Sequence, residues 1–479
     1  MYLREVNRFK FKHMRFTKLN HERRKTRRNY CAEVCAFDIE TTNIDKYRQN
    51  VMYIWQFQYG LNWTIYGRTW EEFTEFINKV QELIPDDCYA VVLCHNLSYE
   101  WQYIKSVLPI DEVFAMDDRK ILYVRSGKLE FRCTYIHSNM SLEKYLNKME
   151  VKSRKVKGFD YTKKRYYFTP LTKDELHYCV NDVRGLVQAY IKEMELDGDD
   201  LYSIPYTATG YARREAKKTL LGYRKYIKPM LPDLEVFNAL RQAYRGGNTH
   251  AHRYNANKII SASDQRPLNS WDISSSYPAA MLTGLFPKKF TRKAPKCFES
   301  EYHDDKACLM KIRLSDVRLR NPDYGAPYIP KAKCTYISEG AVYDNGRVLS
   351  CRNTLDDEGN ITEKFLEMYI TEIDFEIISW EYDFNYSVLE LWTASKAPLP
   401  DKFKALIMEM YENKTKLKGG DEYLYGKYKN LINSLYGMMV QNPCKPQYEF
   451  TDGKMILDDS KSMEKLIEDY HLKGWLPYQ

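Results

Sequence analysis

Long apolar runs are absent from this 479-residue sequence. No stretch approaches the ~18 consecutive apolar residues that a membrane span needs, and the amino terminus lacks the apolar core of a signal peptide. We therefore expect a protein of the cytoplasm that is neither exported nor inserted in a membrane. The 11 cysteines form no C-x-x-C pair, which argues against a zinc ribbon or a disulfide framework and fits a reducing compartment.

A hydrophobic fraction of 44% with 29% charged residues is typical of a globular protein. Residues 1–30 contain 11 Lys or Arg and 2 Asp or Glu, so the net charge of +8 is concentrated there. Three phenylalanines, Phe9, Phe11 and Phe16, are interleaved with these cations. Such a basic arm suits binding to a phosphate backbone. The alternative is a solvated, partly disordered tail, and composition does not choose between the two.

Three regions follow from the periodicity of apolar residues. Residues 31–205 are expected to form an α/β domain, with strands at 34–39, 51–59, 63–66 and 89–94, a helix at 70–84 and another that begins at Thr172. Thr172 and Glu175 have the spacing of a capping box. Residues 206–479 contain a helix near 234–244, strand-rich chain at 316–383, and helices at 401–418 and 422–440 joined by two glycines. Residues 1–30 are the basic arm.

Four acidic residues lie at the ends of predicted elements in the first region. Asp38 and Glu40 are two apart on a strand and so share a face, and Glu100 follows another strand. Tyr178 and Asp182 share one side of a helix. Four carboxylates suit two Mg²⁺ or Mn²⁺ ions, which would activate a water for phosphodiester cleavage, with Tyr178 orienting that water. Acids that merely cap solvated ends are the alternative for any one segment.

These segments resemble the Exo I, II and III motifs of the DEDD-type proofreading exonuclease in family B DNA polymerases, which has an RNase H-like fold. The matching sequences are FDIETT at 37–42, HNLSYE at 95–100 and YCVND at 178–182. The family usually has Asp where this chain has Glu100. The resemblance also implies functional roles outside the metal ligands: single-stranded DNA contacts at Asn96, Tyr99, Ser141 and Leu142, and assistance to the exonuclease by Lys157. An ordinary surface lysine is the alternative for Lys157.

A second set of segments resembles the polymerase motifs of the same family. WDISSSYP at 271–278 is similar to motif A, Asp-x-x-Ser-Leu-Tyr-Pro, with Ser276 in place of Leu. The resemblance implies that Asp272 binds both catalytic metals, that the Ile273 carbonyl completes one coordination sphere, and that Tyr277 excludes a 2′-hydroxyl.

KNLINSLYG at 429–437 is similar to motif B, Lys-x-x-x-Asn-Ser-x-Tyr-Gly. On a helix, Lys429, Asn433 and Tyr436 share a face that can meet an incoming deoxynucleotide. Lys414 is a second candidate for the triphosphate, although a solvated lysine is the alternative. YRGG at 244–247 resembles the linker Tyr-x-Gly-Gly, which implies DNA contacts at Tyr244, Gly246 and Gly247.

Motif C, Tyr-x-Asp-Thr-Asp, has no match after Gly437, and the one Asp-x-Asp of the chain, Asp197 to Asp199, precedes motif A. Nucleotidyl transfer by two metals needs more than one carboxylate, so the rest of the palm and the thumb are expected elsewhere. A second, C-terminal polypeptide is one explanation, and readthrough of a stop codon or an intein is another. A fragment that acts only as a nuclease is the third.

The early position of Exo I resembles the compact, protein-primed branch of phages and linear plasmids. The sequence thus predicts an RNase H-like α/β exonuclease domain plus an α+β polymerase palm with helical-hairpin fingers. The expected partners are primer-template and single-stranded DNA, deoxynucleotides, the C-terminal polypeptide and a terminal priming protein. The alternatives are a metal-dependent 3′–5′ exonuclease alone and a non-catalytic DNA-binding subunit.

Overall fold

The structure, a computed structural model, describes residues 2, 11–20, 29–44, 49–117, 119–154, 159–251, 254–263, 267–323, 326–439, 441, 447–451 and 454–458. The chain divides into two compact units. The first comprises Met1–Glu215, Met410–Leu435 and Lys445–Ser462. The second comprises Ala216–Glu409, Tyr436–Cys444 and Met463–Gln479. Much of the predicted finger hairpin therefore packs with the first unit, whereas the division at residues 205 and 206 remains a prediction.

The helices of the described residues are α1 (Trp70–Leu83), α2 (Leu97–Ile104), α3 (Thr134–Ser138), α4 (Leu142–Lys148), α5 (Lys173–Asp197), α6 (Ala208–Leu220), α7 (Arg224–Ile227), α8 (Leu234–Ala243), α9 (Ser276–Thr283), α10 (Phe298–Glu301), α11 (Glu372–Glu381), α12 (Asp401–Lys416) and α13 (Glu422–Met439). Short 3₁₀ turns lie at Leu221–Tyr223, Lys228–Met230, Pro295–Cys297 and Lys331–Lys333. No helix in these described ranges is both long enough and apolar enough to span a bilayer.

A seven-stranded sheet forms the centre of the first unit. Its strands are β1 (Asn29–Ile44), β2 (Gln49–Tyr59), β3 (Trp63–Gly67), β4 (Cys88–Cys94), β5 (Glu112–Ala115), β6 (Ile121–Ser126) and β7 (Leu129–Cys133), in the order β3-β2-β1-β4-β7-β6-β5. β1 runs parallel to β4, and β4 runs parallel to β7. Helices cover the sheet, so β1 and β4 are buried on both faces and read as nearly continuous apolar runs.

The amphipathic pattern of α1 explains how one face of this sheet is covered. Phe73, Phe76 and Val80 are fully buried at spacings of three and four residues, as predicted. The Thr69 hydroxyl caps the helix by accepting a hydrogen bond from the Glu72 amide. On the other face, α5 packs Val183 and Leu186 against the sheet. Its predicted capping box, made by Thr172 and Glu175, is confirmed.

Part of the basic arm packs against the first unit. Met14 and Phe16 are buried, and the Phe16 ring meets Tyr59 edge-on at 5.2 Å. Phe11 lies 5.8 Å from Phe76. Of the three phenylalanines considered for nucleic-acid contact, Phe16 therefore belongs to the core, and Phe11 is partly buried against it. Phe9 lies outside the described residues.

The second unit is built around an eight-stranded sheet. Its strands are β8 (Phe286–Pro287), β9 (Thr291–Lys293), β10 (Lys306–Leu319), β11 (Cys334–Ile337), β12 (Val342–Asp344), β13 (Arg347–Cys351), β16 (Phe365–Thr371) and β17 (Tyr382–Ala397). Between β13 and β16 lies a two-stranded ribbon of β14 (Thr354–Leu355) and β15 (Ile361–Thr362). β10 pairs along most of its length with β17 and β16, and its Ile312 and Leu314 are fully buried. This mixed architecture fits the predicted α+β palm.

The predicted helical hairpin is present as α12 and α13. The connection contains Gly419, whose φ of 79° lies in the left-handed region that favours glycine. The ribbon β18 (Gln447–Thr451) and β19 (Lys454–Asp458) follows, and Phe450 packs edge-on against Trp101 of the first unit.

Candidate active sites

Asp38, Glu40 and Asp182 converge in the first unit. Each contributes one carboxylate oxygen to a group in which all three oxygens lie within 4.8 Å of one another. β1 aims Asp38 and Glu40 to the same side, and a register shift in the pairing of β1 and β2 comes directly after Glu40. Such a bulge re-aims the end of a strand, which here carries the two predicted metal ligands.

α5, which carries Asp182, lies very close to the segment around Ser153. At Gly185, a Cβ atom would stand 2.6 Å from the carbonyl oxygen of Ser153, closer than any side chain tolerates. Glycine at this position therefore lets the helix approach. Asp182 itself is 5% exposed, so the carboxylate sits in a largely desolvated environment.

Glu100 lies on α2 and lines the same cavity, with 3% of its surface exposed. Burial and the negative charges of Asp38 and Glu40 raise the pKa of Glu100 well above its usual value. Its Oε2 atom is buried and has no hydrogen-bond partner among the described residues. A buried carboxylate oxygen without a donor, beside other carboxylates, fits a site that takes a hard divalent cation.

The cavity that these carboxylates line has a volume of about 580 Å³. The predicted DNA-contacting residues Asn96, Tyr99, Ser141 and Leu142 line it as well. Asn96 is exposed, with a φ of 73°, where β4 turns into α2. The Tyr99 hydroxyl is 2.5 Å from the Thr41 hydroxyl, which holds the ring at the end of β1. Ser141 caps α4 by accepting from the Lys144 amide.

Tyr178 also lines the cavity, one helical turn before Asp182. Its hydroxyl lies 2.7 Å from that of Tyr161, and its ring stacks on Phe159 at 4.2 Å. Burial and the Glu40 charge raise the pKa of Tyr178, so the phenol keeps its proton at neutral pH. A protonated phenol can donate a hydrogen bond to a substrate or a water.

Six residues that line the cavity were not predicted as site residues; three of them are apolar, and the other three are His95, Tyr135 and Tyr161. His95 meets the Tyr135 ring edge-on at 5.8 Å, and its Nδ1 lies 3.1 Å from the Thr134 hydroxyl. Tyr161 lies in the loop before α5, where no periodic pattern marks it. His95 stands directly after the apolar run of β4, so the start of the HNLSYE segment was its available signal. Lys157 lies outside the described residues.

The motif A segment of the second unit is exposed. Asp272 and Ile273 precede α9, and the side chain of Ile273 is largely open to solvent. Tyr277, on the first turn of α9, stacks on Tyr436 with ring centroids 4.1 Å apart and planes 7° from parallel. The structure thus brings together two of the predicted nucleotide-binding residues.

The Tyr-x-Gly-Gly segment lies close to Tyr277. A Cβ atom on Gly247 would stand 4.0 Å from the Tyr277 hydroxyl, whereas one on Gly246 would have open space. Tyr244 ends α8 and is 38% exposed. Next to it, Arg245 Nε lies 3.5 Å from Asp374 Oδ1, which ties the segment to α11.

Motif B lies on α13, where Lys429 and Asn433 are exposed. Lys414 lies on α12, with its Nζ 4.8 Å from the centre of the Tyr411 ring. Both lysines are thus carried by the helical hairpin, as predicted. Among the described residues, Asp272 belongs to no group of three carboxylate, histidine or cysteine ligands.

The chain belongs to the type B DNA polymerases of organelles and viruses, because the model of that family matches residues 96–473. This match covers well over half of the chain and shows a DNA polymerase. The predicted family is therefore confirmed. Two solved structures give the fold in more detail.

Phi29 DNA polymerase complexed with primer-template DNA and incoming nucleotide has a TM-score of 0.61 and 19% identity, with 89% of this chain and 72% of that chain covered. The same polymerase complexed with single-stranded DNA has a TM-score of 0.60 and 17% identity, with 92% and 75% covered. These matches confirm the fold, an exonuclease domain plus a polymerase palm. No curated protein matches the chain.

Proposed function

We propose that the carboxylate cavity is a 3′–5′ exonuclease site that removes nucleotides from single-stranded DNA ends. The observation that carries the proposal is the convergence of Asp38, Glu40 and Asp182 within 4.8 Å, beside Glu100 and Tyr178. A volume of about 580 Å³ falls within the ~300–1,000 Å³ that small-molecule sites occupy, enough for a terminal nucleotide.

The donor set fits two hard divalent cations. Mg²⁺ or Mn²⁺ ions held by the four carboxylates would supply an activated water and stabilisation of the leaving oxygen. Asp38 would be one of these ligands, since it lies in the group of three and also adjoins Glu100. The Tyr178 phenol, fixed by Tyr161 and Phe159, would orient the attacking water. Asn96 and Tyr99 would hold the terminal nucleotide.

A nuclease assay on a 5′-labelled single-stranded oligonucleotide tests this proposal. We expect the 479-residue chain to shorten the oligonucleotide from its 3′ end in Mg²⁺ or Mn²⁺, and Asp38→Ala to abolish shortening. Asp87→Ala is the matched control, because Asp87 is an exposed acid that pairs with Lys18 away from the cavity. Shortening that survives in Asp38→Ala would rule the site out.

We further propose that polymerisation uses the two-metal mechanism, with Asp272 and the Ile273 carbonyl as metal ligands and with Tyr277, Lys429 and Asn433 contacting the nucleotide. The stack of Tyr277 on Tyr436 supports a nucleotide pocket there. Since Asp272 is not part of a ligand group among the described residues, the second carboxylate would come from a C-terminal polypeptide carrying motif C and the thumb. A terminal protein would supply the primer.

Primer extension tests the second proposal. The chain alone is expected to leave a primer unextended while it degrades the 3′ end. Addition of the polypeptide encoded directly downstream should restore synthesis. Robust extension by the 479-residue chain without that addition would contradict the proposal. The alternative is a nuclease without polymerase activity, and the exposure of Asp272 and Ile273 favours it. In that case, no added polypeptide would restore primer extension.

A further inference from the structure

The Asp197-x-Asp199 pair has no role in either proposed reaction, yet both side chains are buried. Asp197 is the last residue of α5, and Gly198 ends the helix with a φ of 64°. The side chains of Asp197 and Asp199 are 2% and 5% exposed. Buried carboxylates are costly unless they are paired, so each of the two needs a partner.

The two acids have different partners. Asp197 Oδ1 accepts hydrogen bonds from Lys427 Nζ and, at 3.4 Å, from the Tyr423 hydroxyl, both on α13. Asp199 Oδ1 instead accepts one from Arg214 Nη1 at 2.5 Å, on α6. Asp197 is therefore bound to the helix that carries motif B, and Asp199 is bound to a different helix.

Further contacts reinforce the attachment of α13. Tyr423 packs against the hydrophobic cluster that includes Leu146 and Tyr190, and Lys148 Nζ lies 4.8 Å from the centre of its ring. Lys427 Nζ in turn lies 5.2 Å from the centre of the Tyr211 ring. All of these residues belong to the first unit. The Lys427 ammonium group and the Tyr423 ring of α13 are thus both held by contacts within the first unit.

The geometry of a helix connects this attachment to motif B. Tyr423, Lys427 and Leu431 follow one another at intervals of four residues and so lie along one face, and Leu431 is buried. Lys429 is two residues from Lys427, about 200° around the helix, and Lys429 and Asn433 are exposed. Contacts on the first face therefore fix which way the second face points.

We propose that Asp197 is a positioning residue for nucleotide binding, which acts by fixing the rotation of α13 through Lys427 and Tyr423. The inference rests on the proposed function, in which Lys429 and Asn433 meet the incoming deoxynucleotide. Neutralising Asp197 leaves Lys427 without its carboxylate and frees α13 to rotate and fray. The exonuclease ligand Asp182 lies four turns away on α5 and keeps its surroundings.

Hydrogen exchange of the full chain tests the attachment directly. In Asp197→Asn we expect amides of residues 424–435 to exchange about 10-fold faster than in the wild type. Asp199→Asn is the matched control and should leave these amides unchanged. If Asp197→Asn fails to fold, Lys427→Gln should give the same acceleration, and Lys427→Arg, which retains the ion pair, should restore slow exchange. Wild-type exchange in both Asp197→Asn and Lys427→Gln would overturn the inference.

Binding of a fluorescent deoxynucleoside triphosphate in Mg²⁺ tests the consequence. Asp197→Asn should weaken binding about 10-fold, as Lys429→Ala does, with exonuclease activity unchanged. If Lys429→Ala weakens binding and Asp197→Asn does not, the positioning role is wrong. If Lys429→Ala itself binds as the wild type does, the proposed nucleotide site fails, and the exchange experiment still decides whether Asp197 holds α13.

Discussion

The pKa values of two buried glutamates of the first unit are shifted in opposite directions. Glu100 faces Asp38 and Glu40, so burial and like charge together raise its pKa. Glu193 is also buried, but the adjacent His137 ring and the Tyr145 hydroxyl hold its pKa below the usual value despite burial. The neighbouring charges, rather than the degree of burial, decide whether a carboxylate stabilises the fold.

Replacing Glu100 by glutamine should raise the melting temperature in the absence of divalent ions, because the amide removes repulsion with Asp38 and Glu40. The proposed exonuclease activity should fall by about 100-fold, since one of the proposed metal ligands is lost. Differential scanning calorimetry and the oligonucleotide assay measure the two effects. The same substitution at Glu193 is the control and should lower the melting temperature. A destabilised Glu100→Gln would contradict the assignment of Glu100 to a repulsive cluster.

The buried pair of His137 and Glu193 predicts a pH optimum of stability. His137 Nε2 lies 2.9 Å from Glu193 Oε2; burial alone favours the neutral ring, yet Glu193 raises the pKa of His137 above 6.5. The contribution of His137 to the stability of the fold is therefore full below pH 6.5 and is lost as the pH rises through its raised pKa. The contribution of Glu193, whose pKa is lowered from 4.5, is full above pH 4.5 and lost in acid.

We expect the pair to stabilise the protein most between pH 4.5 and 6.5. Urea unfolding of the wild type and Glu193→Gln checks this, because the difference in unfolding free energy should be larger at about pH 5.5 than at about pH 8.5. Equal differences at both values would show that His137 does not titrate against Glu193.

Among the secondary-structure elements, α5 carries residues of more than one proposed role. It begins at the Thr172 cap, carries Tyr178 and Asp182 in its first half, and ends at Asp197. The cap and the apolar face were predictable from local spacing. β6 and β7 were not predicted, because Arg125, Glu130 and Arg132 interrupt their apolar pattern. These three side chains are buried together as ion pairs, a partnership that no local pattern reveals.

Thr172→Ala should lower the free energy of unfolding by about 1 kcal/mol, since the Glu175 amide loses its acceptor. Lys173→Ala, an exposed change in the first turn, is the control and should have little effect. Denaturant titration gives both values.

Thr371→Ala should lower the free energy of unfolding by a similar amount at α11, because Thr371 makes the same capping box with Asp374. That helix was missed, since its Ile, Phe and Trp residues resemble the flanking strands, although the box itself was a usable signal.

For the whole molecule, two compact units with their own hydrophobic cores predict two unfolding transitions. Mn²⁺ should shift the transition of the first unit alone, by about 2.7 kcal/mol at 100 times its Kd, since the carboxylate group belongs to that unit. Calorimetry with and without Mn²⁺ measures this. In Asp38→Ala, Mn²⁺ should no longer shift the transition of the first unit. If Mn²⁺ shifted both transitions of that variant equally, a single binding site at the cavity would be contradicted.

The family and the fold class could be predicted from the residue patterns of the chain. The same patterns also indicated the acidic and aromatic candidate site residues, because the spacing of such residues along strands and helices is local information. Three outcomes became visible only in the folded chain: Asp38, Glu40 and Asp182 meet within 4.8 Å, Phe16 belongs to the core with Phe11 packed against it, and Asp197 binds α13. These outcomes depend on contacts between residues far apart in the chain, which are set by the packing of whole elements and leave no periodic trace in the sequence.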